Sequence, residues 1–198
     1  MSRQDFFDRL ADRWDELHPA EPQLAAIRRG LELVGPLDGC AVADVGCGTG
    51  VLLYEVLPRL GDGRVVAIDS SAGMVARARA KFPDARIRWS ATDLFAAGVE
   101  EGSLDLVLCY DTFPHFEHRA RVLAEWSRWL VPGGRAIVWH NLGREQLAEI
   151  HRRAGEVVSD DLLPAPSELS RLFVEAGFET LHASESPDSY TVAARKLA

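Results

Sequence analysis

The stretch Ala41-Val42-Ala43-Asp44-Val45-Gly46-Cys47-Gly48-Thr49-Gly50 decides the fold. Its first five residues read as a buried strand. The glycines that follow let the backbone turn sharply and approach a ligand closely, because no Cβ intervenes and positive φ is open to them. A helical segment over residues 51–60 ends at Gly61-Asp62-Gly63, and Arg64-Val65-Val66-Ala67-Ile68-Asp69 reads as the next strand. Strand, glycine turn, helix and strand make a βαβ unit, whose strands lie parallel. Asp69 stands 23 residues after Gly46. At the carboxyl end of a second strand, a carboxylate can accept hydrogen bonds from both hydroxyls of a ribose.

The alternation continues downstream. Ser70 or Ser71 is expected to cap a helix running to Phe82. Strands are expected over 86–89, 104–110 and 135–140, with a crossover helix over 117–130. Helices follow over 144–157 and 167–176, and two further strands over 179–183 and 190–194. The sum is an α/β fold with seven strands, mostly parallel and flanked by helices. Upstream, Phe6, Phe7, Leu10, Trp14 and Leu17 recur at helical spacing over residues 2–17, with the charges flanking Asp5 expected to face water. His18-Pro19 ends that helix, because the residue before proline is pushed out of the α region. A second helix over 21–33 stops at Gly35-Pro36. Residues 1–36 therefore read as an N-terminal helical cap, and residues 37–198 as the main unit.

The chain of 198 residues is 47% hydrophobic and 26% charged, ordinary for a folded domain and against disorder. Its formal charge of −8 repels phosphate backbones, so no nucleic-acid partner is expected. No apolar run approaches the roughly 20 residues that cross a bilayer. The first residues lack the apolar core of a secretory signal. Cys40, Cys47 and Cys109 have no CxxC spacing and read as reduced thiols, so a cytoplasmic location is expected.

The glycines fall at 46, 48 and 50, not in the G-x-G-x-x-G spacing of dinucleotide folds. Asp44 beside the loop would repel a pyrophosphate but tolerate an ammonium. Here the sequence resembles the class I methyltransferases that use S-adenosylmethionine. The resemblance rests on 42–50, on Val66-Ala67-Ile68-Asp69-Ser70-Ser71-Ala72-Gly73-Met74, and on Ala91-Thr92-Asp93-Leu94. It extends through Leu130-Val131-Pro132-Gly133-Gly134 and Glu175-Ala176-Gly177-Phe178. It implies a Rossmann-like sheet of order 3-2-1-4-5-7-6 with strand seven antiparallel. It also implies S-adenosylmethionine as cofactor. Gly46, Cys47, Gly48 and Gly50 would lie along its methionine and ribose, and Asp44 would position the methionine end. Asp69 would hold the ribose hydroxyls, and Ser70 and Met74 would flank the adenine. Asp93 and Leu94 would meet the adenine amino group, with Tyr110 near the methionine end.

Methyl transfer from a sulfonium needs alignment above all, and a protonated acceptor must also lose its proton to a base or a metal-bound group. After the fourth strand the chain reads Asp111-Thr112-Phe113-Pro114, unlike the pattern of nucleic-acid amino-methylating enzymes, which points to a small-molecule acceptor. His115 and His140 sit at adjacent strand ends and are the candidate bases. A second reading joins His115, His140 and His151, with Asp160 or Asp161, around a transition metal. Blander roles are a helix cap for His115, a carbonyl contact for His140 and a solvated position for His151. The function expected is methyl transfer from S-adenosylmethionine to a small molecule. The alternatives are a protein that binds the cofactor without transfer, and a nicotinamide oxidoreductase, which the glycine spacing disfavours.

Overall fold

Every residue of β1 (Ala41–Val45) is buried, as a central strand covered on both faces must be. The structure, a computed structural model, describes residues 2–198. β1 pairs in parallel with β2 (Arg64–Asp69), which carries β3 (Ile87–Ala91) at the sheet edge. On its other side β1 pairs in parallel with β4 (Leu104–Tyr110), and β4 with β5 (Leu130–His140). β6 (Phe178–Ser186) and β7 (Ser189–Lys196) close the sheet as an antiparallel pair, with β7 beside β5. Among the described residues the order is β3-β2-β1-β4-β5-β7-β6, as the resemblance implies.

Eight helices accompany the sheet among the described residues: α1 (Arg3–Leu10), α2 (Trp14–Leu17), α3 (Glu21–Val34), α4 (Leu53–Val56), α5 (Ala72–Lys81), α6 (Arg119–Trp129), α7 (Arg144–Ala154) and α8 (Pro166–Glu175). Strand periodicity sends alternate residues to two cores. Ala43, Val107 and Val138 join Trp126, Trp129 and Phe173 beneath α6 and α8. Val42, Leu108 and Ile137 join Ile27, Leu31 and Val56 beneath α3 and α4. The chain crosses to opposite sides from β1, so a crevice opens where β1 and β4 end. No helix among the described residues is long and apolar enough to cross a membrane.

Several boundaries differ from the sequence expectation for local reasons. The helix expected over 51–60 shrinks to α4 and a 3-10 turn at Leu57–Arg59. Pro58 lies in that turn, lacks an N–H and disfavours the α region before it. The helix expected over 2–17 is broken by a 3-10 turn at Ala11–Arg13. Ala11 is buried there, against the start of α5. The helix expected to reach residue 157 stops at Ala154, because Gly155 adopts φ +116°. β5 begins five residues early, since Leu130 already pairs with Leu104 before a register shift.

Gly30 lets α3 lie against β5. A Cβ there would come within 2.5 Å of Trp139 Nε1, and that indole is fully buried with nowhere to move. Gly30→Val is expected to lower unfolding stability by about 1–3 kcal/mol, the range for overpacking a filled core. The check is the urea midpoint at unchanged slope; an unaltered midpoint would mean that the helix shifts freely.

Candidate functional site

The crevice at the ends of β1 and β4 is the mouth of a cavity of about 950 Å³. The glycine turn forms one wall and is stitched to β2. Gly46 N and Cys47 N both donate to the Ile68 carbonyl, at 2.8 and 3.0 Å, and Gly48 N donates to Asp69 Oδ2 at 2.9 Å. Gly46 has φ +73°, and a Cβ there would lie 2.1 Å from Thr112 Cγ2. Thr112 locks the approach by donating to the Gly46 carbonyl. Gly48 has φ +51°, with nothing within 4 Å of where a Cβ would stand, so its backbone faces open space.

Nine of the eleven residues expected to meet the cofactor line this cavity: Gly46, Cys47, Gly48, Asp69, Ser70, Met74, Asp93, Leu94 and Tyr110. Asp44 and Gly50 do not line it. Asp44 is buried behind the turn, with Oδ2 lacking any partner. Burial, then the charge of Asp69, pushes its carboxyl up to about 8. Asp69 also serves locally, accepting from Ser71 N at 2.9 Å through Oδ1. Burial still raises its pKa, against the two backbone donors. Ser71, rather than Ser70, caps α5 by accepting from Met74 N. Asp93 accepts from Phe95 N, which shapes the turn after β3.

The three histidines separate. His115 lines the cavity, and its Nδ1 lies 2.7 Å from Asp161 Oδ2, a contact that replaces the helix-cap role. His115 Nε2 makes no hydrogen bond among the described residues, and it is not walled off from solvent. His151 also lines the cavity; it is buried rather than solvated, and its Nδ1 lies 2.6 Å from the Asp161 carbonyl oxygen. Burial lowers its pKa, so it stays neutral and donates through Nδ1. His140 is fully buried outside the cavity lining. Its Nδ1 approaches Asp111 Oδ1 at 3.1 Å without hydrogen-bonding geometry, and neither ring nitrogen has a hydrogen bond. The metal expectation is corrected here. Among the described residues no group of three His, Cys, Asp or Glu side chains can hold a metal ion. His115 and His151 each turn Nδ1 to Asp161, while His140 lies apart.

The metal reading added Asp160 or Asp161 to its ligands; Asp161 instead pairs within the protein. It is buried, and Arg3 reaches both its oxygens, Nε at 3.0 and 2.9 Å and Nη2 at 2.6 Å. Burial pushes its carboxyl up, but His115 and Arg3 outweigh this and hold it at about 2. The result is an ionised carboxylate that fixes the imidazole of His115. Asp111, also in the lining, takes φ +51°, alone among the described non-glycine residues, and its Oδ1 accepts from Asn141 N.

The N-terminal segment forms the remaining wall. Asp8 Oδ1 accepts from Ser71 Oγ and Gly73 N at the start of α5, Asp12 pairs with Arg77, and Asp15 takes Lys81 and Thr49. These contacts dock the segment on α5. Phe6, Phe7, Leu10 and Trp14 line the cavity.

A family model described as "Methyltransferase domain" matches residues 42–134. An uncharacterized methyltransferase of Mycobacterium tuberculosis is 32% identical over 54% of this chain, which spans about half (54%) of that relative's length. A ubiquinone biosynthesis O-methyltransferase of Xanthomonas oryzae pv. oryzae is 32% identical over 83% of this chain and 76% of its own. The solved structure of an S-adenosylmethionine-dependent methyltransferase from Aquifex aeolicus shares the fold, with TM-score 0.77 and 19% identity over 96% of this chain and 98% of that one. With its glycine turn, its Asp69 and its strand order, the chain belongs to the class I S-adenosylmethionine-dependent methyltransferase family.

Proposed function

We propose that this chain transfers a methyl group from S-adenosylmethionine to a small-molecule acceptor, with His115 as base and Asp161 orienting it. The observation that carries this reading is the His115–Asp161 contact in the wall of the cavity that also holds the glycine turn. The residues present fit the cofactor. The Gly48 backbone faces open space, and each Asp69 oxygen retains a lone pair beyond its one backbone donor. When bound, S-adenosylmethionine supplies an electrophilic methyl on a sulfonium and leaves as S-adenosylhomocysteine.

The chain's own work is alignment and proton removal. The glycine turn and Asp69 fix one end of the cavity, and the N-terminal helices and α7 enclose the other. The acceptor's hydroxyl bond breaks as its proton passes to His115 Nε2, and Asp161 stabilises the imidazolium through Nδ1–H. Such a positioned base contributes typically 10²–10⁴-fold. The O-methyltransferase name of the Xanthomonas relative supports an oxygen acceptor. The acidic balance supports a free small molecule rather than a nucleic acid, and the unpaired cysteines support a cytoplasmic setting.

Residues 1–36 act as a lid in this reading, with residues 37–198 as the catalytic unit. The support is the two-sided N-terminal segment, whose acids hold α5 while its aromatics roof the cavity.

Three outcomes are expected. His115→Ala should lower turnover about 10²–10⁴-fold while leaving S-adenosylmethionine affinity intact, and Asp161→Asn should lower it less. The assay is S-adenosylhomocysteine release with a metabolite extract as acceptor source; a cofactor binder without transferase activity would release none, and a His115→Ala rate within threefold of the parent would remove the base. Asp69→Ala should weaken S-adenosylmethionine binding by about 1.5–3 kcal/mol, the range for hydrogen bonds to a charged group, read by calorimetry. Equal affinity in a folded variant would refute the ribose assignment. Protease cutting near His18-Pro19 should slow when S-adenosylmethionine is added, and identical cutting would sink the lid.

A further inference from the structure

The acceptor end of the cavity has a definite chemistry. Phe7 meets Trp14 edge to face, with ring centroids 5.7 Å apart, and also meets His115 edge to face at 5.1 Å. Leu147 and Ile150 of α7 also line the cavity. A flat apolar ring would find a matching surface that leads directly to the base, since aromatic pairs prefer such edge and offset contacts.

The charges are equally selective. Two lining side chains among the described residues carry a permanent positive charge, Arg3 and Lys81, and both are already engaged. Arg3 gives Nε and Nη2 to Asp161 and Nη1 to Glu117. Lys81 gives Nζ to Asp15 at 2.7 Å. Burial lowers the pKa of His18, which keeps that ring neutral near pH 7. Asp111 and Glu117 face the same space. A carboxylate or phosphate entering here would lose its water, find neither the lining guanidinium nor the lining ammonium free, and meet two acids.

The base adds a third constraint. An imidazole is well matched to a hydroxyl of pKa about 10, that of a phenol, and poorly matched to an aliphatic alcohol. We infer that the acceptor is an uncharged phenolic compound, its ring against Phe7 and Trp14 and its hydroxyl at His115 Nε2. This inference rests on the acceptor-site reading above and narrows it to one substrate class.

Binding and turnover test it separately. The full chain is saturated with S-adenosylhomocysteine and titrated at pH 7.5 with 2-naphthol and with 2-naphthoate, a matched pair of one ring system with and without negative charge. The naphthol should bind about tenfold tighter or better. Equal affinity, tighter naphthoate, or no binding of either would overturn the inference. Ile150→Arg places a cation at the cavity from a half-exposed position on α7, where folding is not at stake. It should strengthen naphthoate binding at least threefold, and no change would put the probes elsewhere and overturn the assignment. With S-adenosylmethionine in place, methylation of the naphthol supports both the class and the base. Tight naphthol binding without methylation supports the class and counts against His115 as the base.

Discussion

Two backbone amides sharing one carbonyl set the geometry on which the site depends. Gly46 N and Cys47 N both donate to Ile68 O, so the chain leaving β1 must turn over the end of β2. Only a residue free to take positive φ can lead that turn, and Thr112 stands where any Cβ of Gly46 would go. The same stitch carries Gly48 N to Asp69, which in turn holds Ser71 N and the start of α5. One hydrogen-bonded knot therefore fixes the loop, the acidic residue and the helix that receives the N-terminal segment. Placing such a knot at the ends of central strands with buried interiors gives a site more rigid than a surface loop would allow.

Asp161 does for the His115 end of the cavity what Ile68 and Asp69 do for the other. It ties α1 through Arg3, the end of β4 through His115, and α7 through His151. A buried carboxylate is unfavourable unless paired and hydrogen-bonded, and this one receives a guanidinium, an imidazole and little water. Removing one partner would leave buried charge uncompensated, at roughly 3–5 kcal/mol. The arrangement is thus self-enforcing: the carboxylate that holds the N-terminal segment also holds His115.

The central strands were legible because buried parallel strands are dense in apolar residues and are bounded by glycines; β1, β2 and β4 begin and end where the residues suggest. Their order in the sheet came only from the family resemblance, since periodicity carries no information on neighbours. The glycine-turn side of the cavity was legible because its residues sit in loops directly after strands. The side lined by His115 was not. His115 and Asp161 are 46 residues apart, and only the return of the chain after α7 brings them together. His140 looked equivalent to His115 at an adjacent strand end, yet β5 pairing with Tyr190 directs it into the core. The docking of Asp8, Asp12 and Asp15 on α5 was not legible either, because a helical pattern shows which face is polar, not what that face meets.

That polar face explains how one short segment can serve both ends of the cavity. Its two pairs to Arg77 and Lys81 are partly exposed, and pairs of that kind contribute about 0–1 kcal/mol each and weaken with salt. The Arg3–Asp161 pair is largely shielded, and Asp8 accepts from a helix N-terminus where negative charge is favoured. The segment is therefore held firmly at its first turns and loosely near Asp12 and Asp15. In the lid reading proposed above, opening begins at the loose end, over the glycine turn that Thr49 and Asp15 bridge, while His115 keeps its carboxylate. Exchange of the larger ligand then proceeds without breaking the His115–Asp161 contact, which is the ordering that reading requires of a two-ligand cavity under one roof.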